Sequence, residues 1–171
     1  GYASGNDRMN AVAAIQEKVS AITGSVNVTD ALANLGAFLA KVDGAHATIV
    51  VDAAGMGPAK LAVIAGSGQS YSIANLAVSY DSGAGASNPS EAQLGALLDS
   101  AANASATANA TGMGATYLNV LAAKAGKIRS NGITGTVEIT SDVTDLGSLF
   151  GKIGTATVNV DANGMTAALS T

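Results

Sequence analysis

The sequence predicts an α+β fold of two β-α-β-β repeats, each with a preceding helix, forming a mainly antiparallel sheet with helices packed on one face. Three observations predict it. A segment near the start recurs near the end with its apolar spacing intact. Within each copy, alternating apolar and polar residues give way to apolar residues at helical spacing. A strand, a Gly-containing turn and another short apolar run then follow, which together read as a hairpin.

The recurrence is explicit. Gly24-Ser25-Val26-Asn27-Val28-Thr29 lines up with Gly135-Thr136-Val137-Glu138-Ile139-Thr140. Ala47-Thr48-Ile49-Val50-Val51-Asp52-Ala53-Ala54-Gly55-Met56 lines up with Ala156-Thr157-Val158-Asn159-Val160-Asp161-Ala162-Asn163-Gly164-Met165. Between these blocks, Leu32, Leu35, Phe38, Leu39 and Val42 meet Val143, Leu146, Leu149, Phe150 and Ile153, one apolar helix stripe in each copy.

Each element has a local cause. Val26 and Val28, like Val137 and Ile139, alternate as in a half-buried strand. Thr29 or Asp30, and Ser141 or Asp142, are N-cap types that would open the helices. Asp43-Gly44 and Gly154 would end them, and Gly36 and Gly147 would let them approach the sheet closely. A strand comes next, then the turn Asp161-Ala162-Asn163-Gly164 with its weaker twin Asp52-Ala53-Ala54-Gly55. The returning strands are predicted at Ala59 to Ile64 and Thr166 to Ser170, with Pro58 and Lys60 guarding an exposed edge.

A preceding helix is marked by Met9, Val12, Ile15, Val19 and Ile22, and its ragged counterpart by Tyr117, Val120, Leu121, Lys124 and Ile128. Met9-Asn10-Ala11 resembles Leu118-Asn119-Val120. The chain therefore divides into a first repeat lobe at 1–64, an inserted strand, loop and helix at 65–114, and a second lobe at 115–171, together one compact domain. In the insert, Tyr71 and Ile73 alternate, as do Leu76, Val78 and Tyr80, and a bulge at Asn75 reconciles their phases. Asn88-Pro89-Ser90-Glu91 reads as a helix start with Asn88 as N-cap, and Leu94, Leu97, Leu98 and Ala101 supply that helix's apolar face. Ala102 to Gly114 reads as a surface loop or frayed helix.

Composition narrows function. Charged residues are 12% of the 171 and aromatics 4%, with Phe38 and Phe150 the two phenylalanines. The charge content is about half the ~25% usual for globular domains, so copies repel one another weakly and association is favoured. A net charge of −4, with Lys124, Lys127 and Arg129 the only basic cluster, argues against nucleic acid. Those cations, at a predicted helix end, fit complementation of the helix dipole better. The absence of cysteine excludes disulfides and thiolate chemistry. Apolar stretches break before the ~18 residues a membrane span needs. The opening Gly1-Tyr2, with no Met and no signal-like region, is expected of a processed or trimmed product and favours export.

Catalytic, cofactor and metal candidates reduce to none. His46, the single histidine, has no Gly-x-Ser-x-Gly partner and too few companions for a metal. Asp142 and Asp145 fit helix capping, and Asp161 a hairpin turn without the acidic ligands of a calcium loop. Gly66-Ser67-Gly68 and Gly112-Met113-Gly114 complete neither a dinucleotide nor a phosphate loop. Asn27, Asn103 and Asn109 stand in glycosylation sequons of the kind chance supplies in such a composition.

Thr140 to Ile153 followed by Thr157 to Ser170, and less closely Thr29 to Ala65, resembles the short β-α-β-β module in the outer domains of bacterial flagellins and of hook-associated and filament-cap proteins. The chain departs from that pattern at Lys152-Ile153-Gly154, where the family often closes its helix with Ile-Asn. The resemblance implies decoration or stabilisation of an extracellular filament, with no catalytic residues. A second analogy is the head of a type IV pilin, with 7–22 as the remainder of its helix; the internal repeat and missing cysteines stand against it. The expectation is a non-enzymatic bacterial surface or filament module whose partners are itself or other subunits, with an adhesin module for a glycan or small ligand as the alternative.

Overall fold

A computed structural model describes residues 9–11, 21–83 and 87–165. After a helical stretch at 9–11, the elements are β1 (Ile22–Val28), α1 (Leu35–Leu39), β2 (Val42–Asp52), α2 (Pro58–Gly66), β3 (Tyr71–Ala74) and β4 (Ala77–Ser79). They continue with α3 (Glu91–Ser100), β5 (Ala106–Asn109), α4 (Ala115–Ala123), a 3-10 turn (Ala125–Lys127), β6 (Ile128–Ile139), α5 (Leu146–Phe150) and β7 (Ile153–Val160).

Every strand pairing is parallel, and the strands stack in chain order, β1-β2-β3 in one sheet and β4-β5-β6-β7 in the other. This corrects the predicted mainly antiparallel α+β sheet: the chain is α/β. Where a bulge was expected at Asn75, the run breaks instead into two strands that belong to different sheets. Asn75 takes φ 54°, so β3 pairs back to β2 while β4 pairs forward to β5. A bridge from Ile73 to Ala101 continues the stack across the break. The helices form a parallel row, α1 on α2, α2 on α3, α3 on α4 and α4 on α5. Each winding of the chain thus adds a strand to one side and most add a helix to the other, which is the logic of a solenoid.

The correction has a local origin. Ala59 to Ile64, expected to return as a strand, lies in α2, with Leu61 and Ile64 buried at helical spacing. Pro58 occupies the first turn of that helix, where its missing N–H costs nothing. Lys60 guards no edge; its Nζ binds the Asp30 carboxylate at 2.8 Å and the Asp30 carbonyl. A six-residue run with apolar residues on both sides of Lys60 fits either element, and parallel pairing of β2 with β3 requires a crossover rather than a hairpin. The hairpin in the module that the first copy resembles is therefore not formed. Its counterpart at Thr166 to Ser170 lies outside the described residues, as do Val12, Ile15 and Val19 of the preceding helix.

The turn itself occurs three times among the described residues, and its first two copies connect a strand to a helix. Asp52, Asn109 and Asp161 each accept the amide two residues on, from Ala54, Thr111 and Asn163, at 3.2, 3.1 and 3.0 Å. Met56, Met113 and Met165 then donate to Ala53, Ala110 and Ala162. Gly55, Gly112 and Gly164 take φ of 76°, 80° and 77°, a region that glycine enters without strain. The middle copy, Asn109-Ala110-Thr111-Gly112-Met113, falls where a surface loop or frayed helix was expected. Instead β5 runs through the middle of its sheet, with Ala106, Ala108 and Ala110 at most 2% exposed.

Other boundaries shift for similar reasons. The helices of both copies start at Asn34 and Asp145, later than the predicted caps, leaving Leu32 and Val143 buried in the turns before them. Asp43-Gly44 and Gly154 open strands rather than end helices. Gly36 faces Val63 of α2, not the sheet. Ser90, not Asn88, caps α3 in a reciprocal capping box with Gln93. Asn88 pins the preceding loop by bonds to the Asp81 amide and carbonyl. Val26, Val28, Ile49, Val51, Val137 and Ile139 point inward and, with Phe38, Leu61, Leu97, Leu98, Leu118 and Leu121, form one continuous core.

Candidate functional site: the outer sheet face

The inward set of each strand dictates the outward one, because side chains alternate with period two. Outward lie Ser25 and Asn27 on β1, Thr48 and Val50 on β2, Ser72 on β3, and Ser79 on β4. Thr107 on β5, Thr134 and Thr136 on β6, and Thr157 and Asn159 on β7 continue the series. Register sets them in rows: Asn27 beside Val50 and Val50 beside Ser72, Ser79 beside Asn109 and Asn109 beside Thr134, Thr136 beside Thr157. Neighbours within a row are roughly 4.8 Å apart, the strand spacing. Glu138 brings a charge to this hydroxyl and amide surface, and it accepts a bond from Asn159 Nδ2 at 2.8 Å.

The residues singled out for chemistry do not converge. His46 sits on β2 with its side chain 72% exposed, its Nδ1 2.8 Å from Asp43 Oδ2. Asp145 caps α5 by accepting the Ser148 amide at 2.9 Å, and the Asp142 carbonyl accepts from Asn119. Lys124 pairs with Asp99 at 2.7 Å, while Lys127 donates to the Asp99 and Ala101 carbonyls at the end of α3. Lys124 and Lys127 of the basic cluster thus engage a helix end, that of the neighbouring coil. Of the sequon asparagines, Asn27 is exposed on β1 and Asn103 on a turn, whereas Asn109 is engaged in closing its own turn. Among the described residues, no group of three or more His, Asp or Glu is placed to hold a metal ion. No helix among them is long and apolar enough to cross a membrane.

Local hydrogen bonds set the electrostatics of three of the acids. The Asn75 side chain and then the Ala54 amide hold the Asp52 carboxyl below its ordinary range. The His46 ring does so for Asp43, with help from the Ala45 amide. The Ser148 amide and then its side chain do so for Asp145. A groove of about 400 Å³ between α1 and α2, lined by Gly36, Leu39, Ala40, Val63, Gly66 and Ser67, carries no ionisable group, whereas one of about 320 Å³ is lined by Lys60 and another of about 330 Å³ by Asp99, Lys124 and Lys127.

No protein-family model, curated protein or solved structure matches the chain. The outer sheet face was missed from sequence because the strands of 65–114 were not recognised as members of one ladder; the third Asp/Asn-Ala-x-Gly-Met turn was the signal available for it.

Proposed function

We propose that this chain is a non-enzymatic structural module of a bacterial surface or filament assembly, exposed outside the cell and acting through protein-protein contacts. The observation that carries the reading is the outer sheet face, a surface that runs across both sheets and is built mostly from Ser, Thr and Asn, with Val50 and Glu138 among them. Hydroxyls and amides there offer hydrogen bonds to a partner without the desolvation cost that charged groups impose. The similarity of the second copy to the outer modules of flagellins and hook-associated proteins supports the same role. The low charge of the whole chain favours close packing of subunits.

Antibody labelling of intact, unpermeabilised bacteria, followed by crosslinking and mass spectrometry, tests the proposal. Labelling at the surface, with crosslinks from the sheet-face strands to surface subunits, is the expected result. Labelling only after permeabilisation would overturn it.

A further inference from the structure

We infer that Asn131 is a site of self-modification: the Gly132 main-chain nitrogen attacks its side-chain amide and converts the residue to aspartate and isoaspartate within β6. The inference rests on the geometry of this loop and is independent of the assembly reading.

The chain holds two Asn-Gly pairs, Asn131-Gly132 and Asn163-Gly164, and the fold treats them differently. Between the paired positions Ala106 with Ile128 and Ala108 with Ile133, β5 uses Thr107 alone while β6 uses Arg129 to Gly132. The register of β6 with β7 begins only at Ile133. Both ladders therefore pass over these four residues, as a ladder does over the extra residues of a bulge. Asn131 is exposed and takes φ 55°. Asn75, the other described asparagine with positive φ, has its side chain tied to Asp52 at 3.0 Å. Among the described residues, no side-chain bond restrains the Asn131 amide in this way. Asn163 sits instead in a closed turn, its own N–H donating to Asp161 at 3.0 Å and the Met165 N–H to the Ala162 carbonyl at 3.1 Å.

The bulge itself calls for this reactive pair. Its left-handed backbone at position 131 admits Asn more readily than most residues. Gly132 has no room for a side chain, since a Cβ there would lie 2.8 Å from the Arg129 carbonyl oxygen and 2.9 Å from Ile128 Cγ2. The attacking nitrogen is thus never shielded by a side chain on its own residue. A bond forms from Gly132 N to Asn131 Cγ and closes a cyclic imide. The bond from Cγ to the side-chain nitrogen breaks, and ammonia leaves with the proton that Gly132 N gives up. Water then opens the ring, at Cγ to give aspartate or at the main-chain carbonyl carbon to give isoaspartate, whose main chain runs on through Cβ. Nothing is oxidised or reduced. β7 occupies the space that this extra chain atom needs: a Cβ at Gly154 would lie 2.9 Å from the Asn131 carbonyl carbon and 3.0 Å from its Cβ. The isoaspartate form therefore pushes β7 away and loosens the pairing of Ile133 with Ile153.

Ageing the purified full chain at mildly alkaline pH, with peptide mapping and enzymatic methylation of isoaspartate, reads both pairs at once. In the folded chain Asn131 should convert at least about fivefold faster than Asn163, because one closing hydrogen bond is worth roughly that factor. In urea the two should convert alike. Tm should fall as isoaspartate accumulates. Asn131→Gly suits the positive φ, cannot form the imide at this position, and should keep its Tm through the same ageing. An intact Asn131 in the aged, folded chain, or conversion no faster than at Asn163, would overturn the site. A loss of Tm that Asn131→Gly shares would overturn its effect on β7.

Discussion

Asn119 holds Thr144 in place: its Oδ1 accepts the Thr144 amide at 2.9 Å while its Nδ2 donates to the Asp142 carbonyl at 2.8 Å. Asn10 does the same one repeat earlier, accepting from the Ala33 amide at 2.9 Å and donating to the Ala31 carbonyl at 3.3 Å. In both copies an asparagine from the preceding helix braces the turn that leads from strand to helix. Asn119→Ala removes these two bonds and a third from the Thr144 hydroxyl, and should cost about 1 to 2 kcal/mol, lowering Tm by roughly 2 to 8 °C. Asn119→Asp keeps the acceptor and should recover part of that loss in the same thermal scan.

Gly24 and Gly135 are equivalent, with φ of 84° and 82°, but their neighbours differ. A Cβ at Gly24 meets nothing within 4 Å, whereas at Gly135 it collides with Asn109 Oδ1 and Thr111 Oγ1 of the preceding coil. Gly24→Ala should show backbone strain alone, about 1 kcal/mol. Gly135→Ala adds the collision and should exceed it by at least about 1 to 2 kcal/mol in urea unfolding. Equal losses would mean that the coils are not packed as described.

Two residues compete for the start of α3, and the structure assigns it to Ser90. Ser90→Ala should destabilise by about 1 kcal/mol through loss of the capping box. Asn88→Ala should instead loosen the loop at Asp81, visible as faster amide exchange there with little change in the exchange of α3.

Acid should destabilise the fold through Asp52 and Asp145. Their carboxyls are held below the ordinary value of 3.8, by Asn75 and the Ala54 amide in one case and by Ser148 in the other. A lowered folded-state value means that the unfolded chain binds protons more readily. The stability from these bonds is thus fully present above about pH 4 and lost as pH falls through the folded values. Tm should therefore drop on acidification below about pH 4, and Asp145→Asn should flatten that slope while leaving a residual slope from Asp52 and Asp43.

The pairing of Gly24 with Gly135, Asn10 with Asn119 and Asp52 with Asp161 was legible in the sequence, because turns, caps and braces act through neighbours a few residues away. The buried faces of α1 and α3 were legible for the same reason. β5 was not, since alternation of Ala106, Ala108 and Ala110 with Thr107 and Asn109 carries little contrast in hydrophobicity.

The sequence by itself determined where the chain turns, which residues are apolar, and that its two ends are built alike. The tertiary structure alone decided whether the run after the first copy's turn folds back along the sheet or crosses it as a helix. Ala59 to Ile64 suits both locally; burial of Leu61 and Ile64 in the core, with α2 packed between α1 and α3, selects the helix. Such packing joins residues far apart in the chain, and local periodicity carries no record of it.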